Sequence, residues 1–441
     1  MLCKFRILKK YIIERCCILD RANARDGDNV IPYLVFFTLS ILVCAAGELA
    51  LRKSRAAGVI LFTLSTAFPV ALAGAREFTV GTDIATYGNY VFQAACRARR
   101  LRYYLRSQRE IEPLYKALAF AVSRFTNNPH WFYFMTALII CLFTMAGLWY
   151  YRRWSSITLG WACFLFLFYG DTLNTMRQCL ALAIVFSAFP LFLEKKYIWF
   201  GLFSVIAVMF HVTGIIALAL PVIYLFMKKI PPRWLQFFLI IACMGVIMFY
   251  SPLLQIAIER KLLPVKFTRY MADGVAFALN PTLLRLPFLI PVIMYYDRFC
   301  GFGTGTGAFS GGAVSAGGTD SADSTDYIKD ADLSYRGFRS DIFGMFALVM
   351  LLLEICTIQL RSVHPALYRV SYYFGYYRFI AYPRLVRILR RDNRYIVGAV
   401  LILYLVVIWY YQNVMQGNNQ IYPYVYSPGW YEKIIYVMPA E

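Results

Sequence analysis

The chain has only 3 histidines and 24 acidic residues against 45 lysines and arginines. It also lacks the short signatures of soluble nucleotide and metal chemistry. No Gly-x-x-x-x-Gly-Lys-Ser/Thr loop and no Gly-x-Gly-x-x-Gly turn is present, which excludes the usual cradles for a soluble nucleotide. The 11 cysteines are scattered, with only Cys16 and Cys17 adjacent and others, such as Cys44, Cys141, Cys163, Cys179 and Cys243, inside apolar runs. Neither zinc spacing nor a disulfide framework is indicated. The basic N-terminus, "CKFRILKKYIIERCC", has no uninterrupted apolar core followed by a small-residue cleavage site, so a cleaved signal peptide is not expected. No usable internal repeat is visible.

What is abundant is apolar surface. Hydrophobic residues make up 60% of the sequence and the mean hydropathy is +0.56, with apolar runs recurring along most of the 441 residues. This pattern predicts a multi-spanning membrane protein. The 36 Phe and 34 Tyr suit helix packing and interfacial belts. The formal charge of +21 lies mostly in short blocks between apolar runs instead of one domain-sized patch. It reads as a topology signal, and no nucleic-acid partner is expected.

Apolar windows lie near 31–50, 57–75, 131–150, 157–171, 175–193, 198–211, 213–228, 234–251, 281–296, 341–360, 365–383 and 395–411. The expected fold is therefore all-α, a polytopic helical bundle of about 11–13 transmembrane helices. Several windows around Arg177 and His211 are shorter than the ~20 residues of a perpendicular crossing, which predicts tilt or kinks. "EPLYKALAFAVSRF" at 112–125 is short and charged, and reads as an interfacial or re-entrant helix on the extracytoplasmic face. The expected organisation is a basic N-terminal segment 1–30, a membrane domain 31–296, a linker 297–340 whose Gly/Ser-rich part predicts a flexible cytoplasmic segment, C-terminal helices 341–411 and an extracytoplasmic tail 412–441.

The short basic loops at 52–55, 152–153, 195–196, 228–233 and 387–394 fall on one side of this count and mark the cytoplasm. The N-terminal 30 residues and the Arg-rich stretch 97–109 resist that assignment. The opposite face collects four polar clusters: Arg76, Asp83 and Tyr87; Glu112; Asn174, Arg177 and Gln178; and His211. Charges at apolar segments are costly and tend to be paired or functional. Each also has a plainer reading. Arg177 can snorkel from a helix end, His211 can close a helical hairpin, Asp83 can cap a following helix, and Glu112 can simply start one.

In order and spacing, Arg76, "VGTD" at 80–83, Tyr87, Glu112, "LNTMRQ" at 173–178 and "FH" at 210–211 resemble the EpsG/Wzy-type polysaccharide polymerases. The likeness is clear over roughly 45–230 and continues more weakly through "YRVSYYF" at 368–374 and "YPYVYS" at 422–427. It implies a bacterial cytoplasmic-membrane glycosyltransferase with an extracytoplasmic active site. Such an enzyme joins undecaprenyl-pyrophosphate-linked oligosaccharide units by transferring the growing glycan to a hydroxyl of the next lipid-linked unit. The implied partners are that substrate, membrane lipid and, in some systems, a chain-length regulator; no cofactor or metal is implied.

In chemical terms, arginine suits a diphosphate leaving group because its planar fork grips phosphate oxygens and stays charged. Arg177 is the first choice, with Arg76 and Arg369 as helpers. The base is His211, Asp83 or Glu112, and Tyr87, Asn174, Gln178 and Tyr373 are candidate sugar or phosphate contacts. Arg97, Arg99, Arg100, Arg102, Arg106 and Arg109 suit acidic sugars or anionic lipid, or a solvated surface helix. A flippase or transporter of lipid-linked oligosaccharide and a glycan acyltransferase are the rivals. A flippase calls for a path through the membrane, often with repeated halves, and an acyltransferase gives Arg177 no special task.

Overall fold

The computed structural model describes residues 30–107, 110–229, 241, 245, 255–260, 278–300, 340–362, 367–389 and 391–427. The expectations for segment 1–30, for most of window 234–251 and for the Gly/Ser-rich linker lie largely or wholly outside these residues. Within them the chain is helical with no strand, and six helices are long and apolar enough to cross a membrane. Three of these are α1 (Ile31–Ala50), α2 (Arg55–Ala75) and α6 (Pro129–Tyr151), the last reached after the short helices α3 (Asn89–Arg97), α4 (Leu101–Arg106) and α5 (Pro113–Ser123). Window 157–171 is shorter than expected: α7 (Ile157–Leu167) and α8 (Tyr169–Asn174) meet at Phe168, before α9 (Met176–Leu193) resumes. After α10 (Tyr197–Phe210), a 3-10 turn leads into α11 (Ala219–Lys229). Window 281–296 is broken into α12 (Leu279–Leu283), α13 (Leu286–Met294) and α14 (Tyr296–Cys300), and α15 (Ser340–Ile358) follows. Window 365–383 is broken too, into a 3-10 turn, α16 (Ser371–Gly375) and the start of α17 (Arg378–Ile388), before α18 (Arg391–Tyr410).

The local signals for these starts are conventional. Ser54, Asn128 and Ser156 cap α2, α6 and α7 by accepting from the backbone N–H of Ala57, His130 and Leu159, and Pro129 opens α6 where its missing N–H costs nothing. Pro69 lies inside α2, so the carbonyl of Ser65 loses its helical donor. The hydroxyl of Ser40 on α1 donates to that carbonyl at 2.7 Å, and Trp161 Nε1 on α7 donates to Ser40 Oγ at 2.8 Å. A proline defect thereby ties three apolar helices together where no water can satisfy the backbone.

Two compact units emerge. The first comprises Met1–Ala188, Gly201–Ala219 and Tyr376–Glu441, and the second Phe189–Phe200 and Leu220–Gly375. The first has two chemically different ends. At one, Arg387 donates to the carbonyls of Arg152 and Arg153 at 3.0 and 2.7 Å, and Glu48 accepts from Ser156 Oγ at 2.8 Å. At the other, the stretch 417–427 lies along the loop after α2. Glu77 N donates to Val425 O at 2.8 Å, Ser427 N to Ala75 O at 2.9 Å and Gly81 N to Gln420 O at 3.0 Å, while Tyr33 OH reaches Ile421 O at 2.8 Å. Two of the basic turns thus share one end, and the candidate polar loops gather at the other.

In the second unit, Arg285 Nε donates to Glu354 Oε1 at 2.6 Å with both side chains buried. Gln359 bridges Thr282 Oγ1 and Ala278 N at 2.9 Å each. An intramembrane pair of this kind persists because each charge neutralises the other. Gly344 is packed so closely that a Cβ there would stand 1.9 Å from the carbonyl oxygen of Phe299. Because that obstacle is backbone, Gly344→Ala is expected to destabilise the second unit by about 3 kcal/mol or more, as overpacking does at its severe end. Its thermal unfolding beside that of wild type checks this.

Candidate active site

The site is built where α8 gives way to α9. Thr175 leaves helical geometry at φ −94, ψ 52, so Leu173 and Asn174 face the loop after α2 and Arg177 stands in the first turn of α9. Arg76, just past the end of α2, donates from Nη1 to Leu173 O at 2.8 Å, with Nη2 3.4 Å from the sulfur of Met176. Asn174 Oδ1 accepts from the Thr82 hydroxyl and from Asp83 N at 3.2 Å, and its Nδ2 donates to Asn419 Oδ1 at 3.2 Å.

Gly81 makes this approach possible. Its φ is +95, and a Cβ would lie 2.5 Å from Leu173 O, so only glycine fits without strain. Asp83 precedes a short π-helix, Ile84–Gly88, yet its carboxylate does not cap it. The capping reading of Asp83 therefore fails, and so does the reading of Glu112 as a mere helix start. Glu112 stands at the N-terminus of α5 without capping it. Instead its Oε2 takes a hydrogen bond from Arg177 Nη1 at 2.6 Å, with the two side chains 16% and 13% exposed. The Tyr87 ring lies under the same guanidinium, 4.0 Å from its centroid. Arg177 is thus clamped on a carboxylate and an aromatic face, which a snorkelling arginine has no need of.

Arg76 is held differently. It is 1% exposed, and among the described residues no carboxylate lies within salt-bridge distance of it. Burial pushes its pKa down, the groups acting on it are the phenols of Tyr169, Tyr133, Tyr33 and Tyr424, and the Tyr133 ring is 5.4 Å away. Its Nε is buried without a partner. Such a charge is expensive, several kcal/mol before relaxation.

The structure therefore brings Arg76, Asp83, Tyr87, Glu112, Asn174 and Arg177 together, with Gln178 buried next in α9. His211 belongs to the same unit and is held by its own turn. It starts the 3-10 helix Val212–Leu218, and its Nδ1 accepts from Thr213 N at 3.3 Å, with the Thr213 hydroxyl at 2.7 Å. With Nδ1 accepting, the neutral ring carries its proton on Nε2. Arg369 and Tyr373 belong to the second unit, Arg369 half-buried in a 3-10 turn and Tyr373 buried in α16. Arg97, Arg99, Arg100, Arg102 and Arg106 are exposed around α4, while Lys116 fastens the end of α4 from α5, its Nζ reaching Leu105 O at 2.6 Å and Ser107 O at 3.0 Å.

Sequence reasoning missed three participants. Tyr115 is fully buried one turn beyond Glu112, and the i, i+3 spacing from that acid was the available signal. His130 binds Gly74 O through Nδ1 at 2.8 Å and stacks on Phe78 at 4.7 Å, buttressing the loop; nothing in its local sequence announced this. Asn419, with φ +64, was masked by 245 residues of separation from Asn174.

Among known proteins, no curated sequence and no solved structure matches the chain. The EpsG family model matches residues 59–426, which spans every residue of this constellation. The chain belongs to the EpsG family, a family of polysaccharide-polymerase-like membrane proteins.

Proposed function

We propose that the protein polymerises lipid-linked oligosaccharide units carried on undecaprenyl pyrophosphate, at the extracytoplasmic face of the bacterial cytoplasmic membrane. The observation that carries this reading is the gathering of two arginines and two carboxylates, Arg76, Arg177, Asp83 and Glu112, at one end of the first unit, with Arg177 paired to Glu112. In the reaction, a hydroxyl oxygen of the incoming unit bonds to the anomeric carbon of the growing glycan. The bond from that carbon to the diphosphate oxygen breaks, and the diphosphate leaves with the electron pair. The acceptor's proton must go to a base.

Asp83 is the base in this scheme. Glu112 is committed to Arg177, and His211 offers a donor at Nε2 in its neutral form. With both carboxylates ionised, the four charges cancel. When Asp83 takes the proton their sum becomes +1, as the departing diphosphate gains one negative charge. Glu112 and Tyr87 fix the Arg177 plane so that its remaining N–H groups meet phosphate oxygens without reorganising. Arg76, sealed behind the Leu173 carbonyl, supplies field instead of contact. Asn174 brackets the loop, since its amide is taken by Thr82, Asp83 and Asn419.

Clustering at one end favours chemistry over transport, which needs polar groups along a path. The test is reconstitution in vesicles with lipid-linked repeat units. A ladder of longer glycans on the carrier is expected; movement of units across the bilayer with no growth in length would assign the protein to the flippase class.

A further inference from the structure

Resting on that reading, the geometry points to Tyr115 as a further substrate-binding residue, whose hydroxyl donates a hydrogen bond to an anionic oxygen of the diphosphate held at Arg177. Four observations converge on it. Tyr115 is 0% exposed. Its hydroxyl is buried and has no hydrogen-bond partner among the described residues. It lies one helical turn after Glu112 on α5, so the helix turns both side chains toward the same neighbours. Finally, Arg177, Asp83 and Arg76 are all within electrostatic reach of it.

A buried hydroxyl with nothing to bond costs roughly 1–3 kcal/mol, and four other buried tyrosines of this unit avoid that cost. Tyr33 donates to Ile421 O at 2.8 Å, Tyr104 to Val91 O at 2.7 Å, Tyr169 to Pro69 O at 2.6 Å and Tyr424 to Leu72 O at 2.9 Å. Tyr115 has no such carbonyl, and the charges that act on it are those of Arg177, Asp83 and Arg76. Burial pushes the phenol up, so it keeps its proton at neutral pH and serves as a donor, never as a base. The Phe132 ring, 5.1 Å from the Tyr115 ring, fixes its plane. A neutral donor fits a crowded diphosphate site because it binds oxygen without adding a third cation that Asp83 and Glu112 would have to balance.

The test is Tyr115→Phe in the full-length protein, with polyprenyl diphosphate as the binding probe, thermal unfolding as the stability measure and glycan growth as the activity. The expected result is diphosphate affinity about 10- to 100-fold weaker, as for loss of a hydrogen bond to a charged group, with lower turnover and an unfolding temperature equal to or above that of wild type. Tyr104→Phe serves as the contrast: its hydroxyl has a carbonyl partner, so it should lower the unfolding temperature and leave diphosphate affinity alone. Unchanged affinity in Tyr115→Phe overturns the inference, and so does a loss of stability that matches the loss of binding. If wild type binds the diphosphate but joins no sugars, the polymerase reading fails while the donor role still stands or falls on the affinity measurement.

Discussion

Arg177→Lys is expected to lower the polymerisation rate by about 10²–10³-fold while the protein remains folded, the usual cost of losing a preorganised group at developing charge. Lysine keeps the positive charge, so Glu112 stays compensated and the interior of the unit is not left with an orphan carboxylate. What disappears is the planar fork. With one N–H edge fixed on Glu112 at 2.6 Å and the ring of Tyr87 beneath it at 4.0 Å, arginine still offers further donors in a fixed plane, and an ammonium on a flexible stem does not. Glu112→Gln should lower the rate about tenfold by freeing the same plane. The double variant should be little worse than Arg177→Lys alone, because both changes remove one geometry. Rates in vesicles, with unfolding temperatures in parallel, read this directly.

Arg76→Met is the second large effect, and its signature is a separation of stability from activity. Methionine of similar length removes a buried charge that has no carboxylate within reach, which favours folding. It also deprives Leu173 O of its donor, which costs roughly 1–3 kcal/mol. The two nearly cancel, so stability should stay within about 1 kcal/mol of wild type. Turnover should nonetheless fall about 10²-fold, because the field opposing the leaving diphosphate's charge is gone. An arginine retained only for architecture predicts the reverse pattern: a stability loss of about 3–5 kcal/mol with activity per folded molecule intact.

Much of this was written in the chain in plain form. Helices such as Ile31–Ala50 and Pro129–Tyr151 follow from apolar length and from Pro in their first turns, with Asn128 capping the second, since in a bilayer burial and backbone satisfaction leave few other outcomes. The windows at 281–296 and 365–383 misled because apolar composition does not register where a helix must restart, as at Pro287 in the first turn of Leu286–Met294, or where the Tyr-rich stretch before Arg378 interrupts one. The charged members of the site were visible as costly residues at apolar boundaries.

Their pairing was not visible. Nothing in the sequence shows that Glu112 goes to Arg177 while Arg76 goes without a carboxylate, because that depends on a glycine turn at 81 meeting a helix break at Thr175. Tyr115 was hidden for a similar reason. A tyrosine in an amphipathic helix reads as packing until its hydroxyl is seen to lack the carbonyl that Tyr33, Tyr104, Tyr169 and Tyr424 have.

The central claim is that diphosphate departure and glycosidic bond formation are one event at this site. Its most direct test counts both products in the same vesicles, free undecaprenyl pyrophosphate and new glycosidic bonds between repeat units. The account predicts one carrier diphosphate released for every bond formed by the wild type, and both products falling together in Arg177→Lys. Repeat units crossing the bilayer with neither product formed, or bonds forming with no carrier diphosphate released, would contradict it.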